Sequence, residues 1–307
     1  MTTRPLVSII TPSYNQAEFI EETLLSVIHQ EYPNKEYLVV DGGSTDGSIE
    51  IIHKYDSQIT SVISEPDQGQ ADAINKGFQQ SRGEIVAWLN SDDYYLPGAI
   101  EMAVDFFDQH PQAVLVYGDV ITIDAKGGFI RHLHYRQLGL LDLMCFNIIG
   151  QPAVFMQRDL LNKSGLLDLT YQFLLDHQLW LRLATLGPIF HIKKTLATAR
   201  FHAESKNVAQ AGGFGKEAFR IVEWMQKSPE FKDLFYANQN RIVSAAERIN
   251  ARYLLDGGES RQAFQSYLKS LRLHPATALK EWYRIIFALL TGWGFGFLRR
   301  FKPKWRE

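Results

Sequence analysis

The hydrophobic pattern of the first hundred residues switches period repeatedly, and that alternation constrains the fold more than any single residue does. Leu6-Val7-Ser8-Ile9-Ile10 is an apolar run of strand length. Ile20, Leu24, Val27 and Ile28 then recur at helical spacing until Pro33 and Asn34 interrupt them. Residues 37–40 form a second apolar strand, followed by a Gly/Ser/Asp turn and a helical stretch over 49–55. Residues 59–64, 71–80 and 85–89 continue as strand, helix and strand. Strands alternating with helices at this spacing predict crossover connections and a mainly parallel sheet. In such a sheet, ligands bind beyond the carboxyl ends of the strands. Three polar clusters fall there: Thr11-Pro12-Ser13-Tyr14, Asp41-Gly42-Gly43-Ser44 and Asn90-Ser91-Asp92-Asp93. They are placed to converge on one ligand.

After Pro97 the pattern changes. Residues 113–124 and 129–134 read as two strands across Lys126-Gly127-Gly128. Residues 174–186 read as a helix with Leu179, Leu183 and Leu186 inward, and 216–273 are mostly helical. Gly212-Gly213 marks the expected boundary between a sheet domain, 1–211, and a helical extension, 212–307. The net charge of −2 gives no basic field for nucleic acid. Cys145 is the only cysteine, which excludes an internal disulfide and a Cys-based zinc site and fits a reducing, cytoplasmic setting. Ser8 interrupts the first apolar run, so no signal peptide is read there.

Each cluster carries a plain reading beside a chemical one. Adjacent carboxylates such as Asp92 and Asp93 repel unless a cation or solvent relieves them. A hard divalent cation, Mg²⁺ or Mn²⁺, commonly bridges such carboxylates to a diphosphate. The same residues could instead cap the next helix or shape a turn. Gly42 and Gly43 allow close approach to a ligand, and Asp41 could accept hydrogen bonds from a base or ribose; an ordinary strand–turn–helix link would look the same. Tyr14 offers a ring for a nucleobase, or is simply a loop aromatic.

In order and spacing, these segments resemble the family 2 glycosyltransferases of the GT-A fold. The resemblance runs from Val7 to about Asn207 through Ser8-Ile9-Ile10-Thr11-Pro12-Ser13-Tyr14-Asn15, Asp41-Gly42-Gly43-Ser44-Thr45-Asp46-Gly47-Ser48, Glu65-Pro66-Asp67-Gln68-Gly69-Gln70 and Trp88-Leu89-Asn90-Ser91-Asp92-Asp93. It implies an α/β fold with a Rossmann-like mixed sheet and an inverting reaction on a nucleotide-diphosphate sugar, with a uridine diphosphate sugar as the default. Thr11, Pro12, Tyr14, Asp41 and Asp67 would then line the nucleotide-sugar site. Asn90 and Asp92 would hold ribose, with Asn90 standing where the family usually has Asp. Asp92, Asp93 and His202, the last in Arg200-Phe201-His202-Ala203-Glu204-Ser205, would form the metal site. Leu175-Asp176-His177-Gln178-Leu179-Trp180 resembles the acceptor helix, with Asp176 as catalytic base. Trp180, four residues on and on the same helical face, would be a sugar platform. Gln151 would touch acceptor hydroxyls. The Gln-x-x-Arg-Trp signature of processive relatives is absent, which implies one sugar per encounter.

Residues 282–298 are aromatic and aliphatic, and Arg299-Arg300-Phe301-Lys302-Pro303-Lys304-Trp305-Arg306 follows. The pair suits a segment lying on an anionic membrane surface near a saccharide or lipid-linked acceptor, or alternatively a last core helix or an oligomer contact. Such a protein would be cytoplasmic, peripheral at the inner face of the membrane, and engaged in surface polysaccharide or lipopolysaccharide synthesis. The competing functions are a sugar-nucleotide-binding scaffold without catalysis, kept open by Asn90 and Gln178, and a sugar nucleotidyltransferase. The second would normally carry a Gly-rich basic loop near residues 11–15, and none is there.

Overall fold

The computed structural model describes residues 4–202 and 212–293. They divide into two compact units, 4–139 with 149–201, and 140–148 with 202 onward.

The first unit opens with the expected alternation. Strand β1 (Val7–Ser13) leads to helix α1 (Ile20–Ile28), then β2 (Lys35–Asp41), α2 (Ser48–His53), β3 (Ser61–Ser64), α3 (Gln70–Gln80) and β4 (Ile85–Trp88). These four strands pair in parallel in the order β3-β2-β1-β4. Both faces of β1 and β2 are covered, and their residues are buried almost throughout, as strands flanked by crossover helices require. Gly77 of α3 is needed for that packing: a Cβ there would meet Ile10 Cγ2 at 2.4 Å.

The second half of the unit departs from the parallel pattern. Short β5 (Tyr94–Tyr95) and α4 (Ala99–Gln109) precede β6 (Leu115–Asp124) and β7 (Phe129–Leu133). After residue 148 come a 3-10 turn (Gln151–Ala153), β8 (Val154–Gln157), α6 (Arg158–Ser164), α7 (Leu175–Leu186) and β9 (Ile189–Phe201). Strand β8 runs antiparallel to both β4 and β6, while β9 is parallel to β6 and antiparallel to β5. The result is one mixed nine-stranded sheet, with β7 paired to β6.

The second unit holds α5 (Leu140–Met144), α8 (Gly212–Lys227), α9 (Pro229–Ala237), α10 (Gln239–Asp256), α11 (Ser260–Leu273), α12 (Pro275–Ala278) and α13 (Trp282–Gly292). The expected boundary pair Gly212-Gly213 opens α8. Ala251, Leu255, Ala263, Tyr267 and Ala288 form an apolar cluster. Beside it, the Glu281 carboxylate accepts from Arg248 at 2.6 Å, from Tyr267 at 2.8 Å and from Arg252. Burial alone would raise the Glu281 pKa, but the charges of Arg252 and Arg248 pull it down to about 2. No helix among the described residues is long and apolar enough to cross a membrane. The cationic run 299–306 lies outside the described residues.

Candidate active site

Parallel pairing brings the exits of β3, β2, β1 and β4 to one edge of the sheet, with Ser13 opposite Asp41 and Asp41 opposite Ser64. Asp41 is fully buried there, and its carboxylate gathers the loop around it. It accepts the N–H of Gly43 at 3.1 Å, the N–H and hydroxyl of Ser44, and the Ser64 hydroxyl at 2.8 Å. The β1 and β2 exits are stitched together across the gap. The Asn15 N–H donates to Ser44 Oγ at 2.8 Å, and the Thr45 N–H donates to Asn15 Oδ1 at 2.9 Å. Asn15 lies in the left-handed region at φ 51°, which its short polar side chain tolerates.

The other N-terminal candidates separate by exposure. Thr11 is fully buried, its Oγ1 2.9 Å from the Tyr37 hydroxyl, so it supports the strand exit from within and does not present the surface expected of a donor-binding residue. Pro12 is also buried, whereas Tyr14 is 61% exposed, as a stacking ring must be. Asp67 packs against Gly42, where a Cβ would come within 2.5 Å of Asp67 Oδ2. The Gly69 N–H holds its other oxygen at 2.7 Å. Gly42 is therefore a close-approach glycine, and the neighbour it admits is a carboxylate.

At the β4 exit, the Asn90–Asp93 turn is fixed from three sides. Gln70 Nε2 donates to Asn90 Oδ1 at 2.8 Å, and Asn90 Nδ2 donates to Gln151 Oε1 at 3.0 Å and to Asp93 Oδ2 at 3.3 Å. Asp93 is only 5% exposed, and its Oδ1 accepts the Arg200 N–H at 2.9 Å. Burial, then the charge of Asp92, holds the Asp93 carboxyl well above the usual carboxylate range. Both Asp93 oxygens are thus engaged, and Asp92 is the half-buried carboxylate of the pair.

Arg200 was not anticipated, although it stands two residues before the His202 that was. Its Nε donates to the Asp92 carbonyl at 3.0 Å, Nη1 to the carbonyls of Asp124 and Ala125 at 3.2 and 3.3 Å, and Nη2 pairs with Glu22. Its guanidinium lies over the Phe19 ring at 5.0 Å. A buried arginine can hold several carbonyls at once because its fork carries five donors. His202 directly follows the end of β9 and is half-buried; residues 203–211 after it lie outside the described residues.

Helix α7 starts with Leu175-Asp176. Asp176 is half-buried, and its Oδ1 accepts its neighbour His177 N–H at 2.7 Å. Its charge reaches the Tyr135 phenol, which burial first, and Asp119 and Asp176 next, hold well above the tyrosine range. The expected sugar platform fails here: Trp180 has no exposed surface. Its ring stacks on Trp88, the last residue of β4, at 5.2 Å and 25°. Four residues on a helix do share a face with Asp176, but this face turns into the core where α7 docks on the sheet. Trp180 positions α7; it does not present a surface to a sugar. Gln151, expected to touch acceptor, spends its amide inside the protein, with Nε2 on the Trp88 carbonyl at 2.8 Å and Oε1 on Asn90.

Comparison with known proteins follows the same lines. The pattern that defines glycosyl transferase family 2 matches residues 8–161. The TuaG glycosyltransferase of Bacillus subtilis, named for teichuronic acid biosynthesis, is 42% identical over 160 residues, 51% of this chain and 64% of that one. Among solved structures, S. aureus TarS 1–349 in complex with UDP-GlcNAc superposes with a TM-score of 0.62 at 17% identity, covering 89% of this chain and 90% of that chain. The mannosyltransferase of Pyrobaculum calidifontis, in complex with GDP-Man and Mn²⁺, gives 0.61 at 19% identity, covering 94% and 87%. The chain spans about a third of the length of several curated relatives it matches and about two thirds of others. The strand–helix order, the mixed sheet with its polar exits, and a family match over half its length agree, and this chain belongs to glycosyl transferase family 2.

Proposed function

We propose that the chain transfers one sugar from a nucleoside diphosphate sugar, a uridine diphosphate sugar by default, to a hydroxyl of a saccharide acceptor, with inversion at the anomeric carbon. The observation that carries this reading is the stack of Trp180 on Trp88. It ties the helix bearing Asp176 to the strand whose exit bears Asn90, Asp92 and Asp93.

In this reading, Tyr14 stacks the base, the fully buried Asp41 shapes the β2 exit from within, and the half-buried Asp67 offers an acceptor beside it. Asn90, held by Gln70, Gln151 and Asp93, would lie on the ribose side. Asp92 would hold a divalent cation, Mn²⁺ or Mg²⁺, with Asp93 as its buried brace and His202 near the end of β9. The donor set fits a hard ion, since consecutive carboxylates at a strand exit offer oxygen alone. When bound, such an ion would offset the charge of the leaving diphosphate. Asp176 takes the proton from the acceptor hydroxyl as general base, and that oxygen attacks from the face opposite the diphosphate. The Tyr135 phenol, kept protonated, is a hydrogen-bond donor within electrostatic reach of Asp176.

Helix α13 supports a membrane-facing acceptor. Its inward residues are Arg284, Ala288 and Thr291, with Arg284 paired to Asp256 at 3.2 Å and Thr291 bonded to Ser260 at 2.8 Å. Its exposed large side chains are Trp282, Tyr283, Ile286, Leu289 and Leu290, and the exposed Trp293 follows its end. A helix with its large apolar side chains outward is inverted relative to a core helix, and suits an interfacial site followed by cations. The relative named for teichuronic acid biosynthesis is in keeping with a surface polysaccharide as the acceptor class.

The test is Asp176→Asn, assayed for uridine diphosphate sugar binding by calorimetry with Mn²⁺ and for transfer with a saccharide acceptor panel. Donor binding should persist while transfer falls by on the order of 10²-fold or more. Transfer at the wild-type rate would remove Asp176 as the base.

A further inference from the structure

Away from the β1–β4 edge, strands β6, β7 and β9 bring a second set of ligand-type side chains together. His132 lies on β7 and His134 just past its end, two residues on in the extended chain, and their rings lie 3.8 Å apart. Asp119 projects from β6 beside them, and its Oδ2 is 3.0 Å from His134 Nδ1. One ligand atom from each of Asp119, His132 and His134 lies within 4.8 Å of the others. These groups line an open groove of about 700 Å³.

We propose that Asp119, His132 and His134 bind a divalent transition-metal ion of the Zn²⁺ class, separate from the ion Asp92 would hold. Two imidazoles and a carboxylate are the donor set that zinc and its neighbours favour over Mg²⁺ or Ca²⁺, and three protein ligands leave one position open. The 3.0 Å between Asp119 Oδ2 and His134 Nδ1 matches two bonds of about 2 Å to a common ion, and the His132 ligand atom lies within 4.8 Å of both. The surroundings are those of a built site. The second Asp119 oxygen accepts the Tyr135 N–H at 2.9 Å and faces His191 Nε2 at 2.7 Å, which fixes the carboxylate from behind. His132 Nε2 lies 2.7 Å from Thr195 Oγ1 of β9, holding that ring near the strand. Asp119 is buried while both histidines are exposed, so an ion has an entry path onto a fixed carboxylate. Arg136, Lys193 and Lys194 line the same groove and oppose a bare dication. The Asp119 charge offsets part of that repulsion, and an anion from solvent in the open position offsets more. A bound ion would tie β6 to the end of β7 next to Tyr135.

The experiment uses untagged full-length protein, stripped with chelator and then titrated with Zn²⁺ and Co²⁺. Bound metal is measured by mass spectrometry, and Co²⁺ ligation by its visible absorption. One equivalent should bind, with Co²⁺ bands of a four- or five-coordinate site. Binding should be retained in Asp92→Asn, lost in the His132→Ala/His134→Ala double variant, and weakened on the order of tenfold in His191→Ala. The two histidines are exposed, so the double variant should fold; circular dichroism checks this. No Zn²⁺ or Co²⁺ bound at micromolar free ion, or metal retained by the folded double variant carrying Asp92→Asn as well, or metal lost in Asp92→Asn alone, would overturn the assignment. Stabilisation by inorganic phosphate alone, without metal, would assign the groove to an anion and overturn it equally.

Discussion

Arg200→Ala removes one side chain from which three segments hang, and the consequence can be worked out. The Arg200 side chain is 3% exposed. Its Nε bond to the Asp92 carbonyl at 3.0 Å is charge-assisted, and such a bond contributes about 1.5–3 kcal/mol. The Nη1 bonds to Asp124 and Ala125, at 3.2 and 3.3 Å, share one nitrogen and add about 1 kcal/mol together. Glu22 is more than half exposed, so its pairing counts for about 0–1 kcal/mol. Truncation also empties the space over Phe19, while the variant is spared the desolvation of a buried guanidinium, and these two oppose each other. The balance is a loss of about 3 kcal/mol, which for a unit of this size lowers Tm by about 6–12 °C. Because the bond to Asp92 lies in the turn proposed to hold the donor, donor affinity should fall by about tenfold or more, although Arg200 touches no donor in that arrangement. Arg200→Lys should be intermediate, keeping the Glu22 charge and losing the fork. Calorimetric melting and donor titration read both effects. A Tm within about 2 °C of wild type, together with unchanged donor affinity, would refute the view of Arg200 as the brace of this turn.

The paired aspartates should behave differently: Asp92→Asn is expected to abolish metal-dependent donor binding with little change in Tm. Asp93→Asn should lower stability by about 1–3 kcal/mol, because its amide would face a second donor at either Arg200 or Asn90; equal effects in both variants would contradict this division. Gly42→Ala places a methyl within 2.5 Å of Asp67 Oδ2, so Asp67 must shift and donor affinity should drop while Asp67→Ala/Gly42→Ala partly restores packing, which melting curves of the single and double variants can check. The Glu281 pKa, pulled from an ordinary 4.5 to about 2, makes its pairing fully stabilising above about pH 4.5 and progressively lost as pH falls toward 2. The span is about 3 kcal/mol, and Glu281→Gln should flatten that limb of the Tm–pH profile. Ile286→Glu/Leu290→Glu on α13 should abolish sedimentation with anionic vesicles and leave melting unchanged; vesicle binding at the wild-type level would remove the membrane assignment.

What was legible in the sequence was the half governed by local period. Strands β1 to β4 and their helices follow from runs such as Ile9-Ile10 and Val39-Val40, because a parallel sheet covered on both faces needs unbroken apolar strands. Strands β8 and β9 were missed for a complementary reason. Val154–Gln157 is short and lies among turns, and the 13 residues of β9 mix Lys193, Lys194 and Thr195 with apolar neighbours, so neither shows a clean period. Their pairing is set by strands far away in sequence. The site divides in the same way. Asp41, Asp92 and Asp176 announce themselves as carboxylates at the ends of apolar elements. Trp180 misleads because helical spacing gives the face it shares with Asp176, yet not whether that face looks outward; only docking on Trp88 decides it. Gln151 misleads in the same way, being a polar residue near a site whose amide turns inward to hold Asn90. The residues that build such a site are therefore recognised by the partners they bury, and Arg200, paired with the backbone of Asp92 across 108 positions, has no local signal by which to be found.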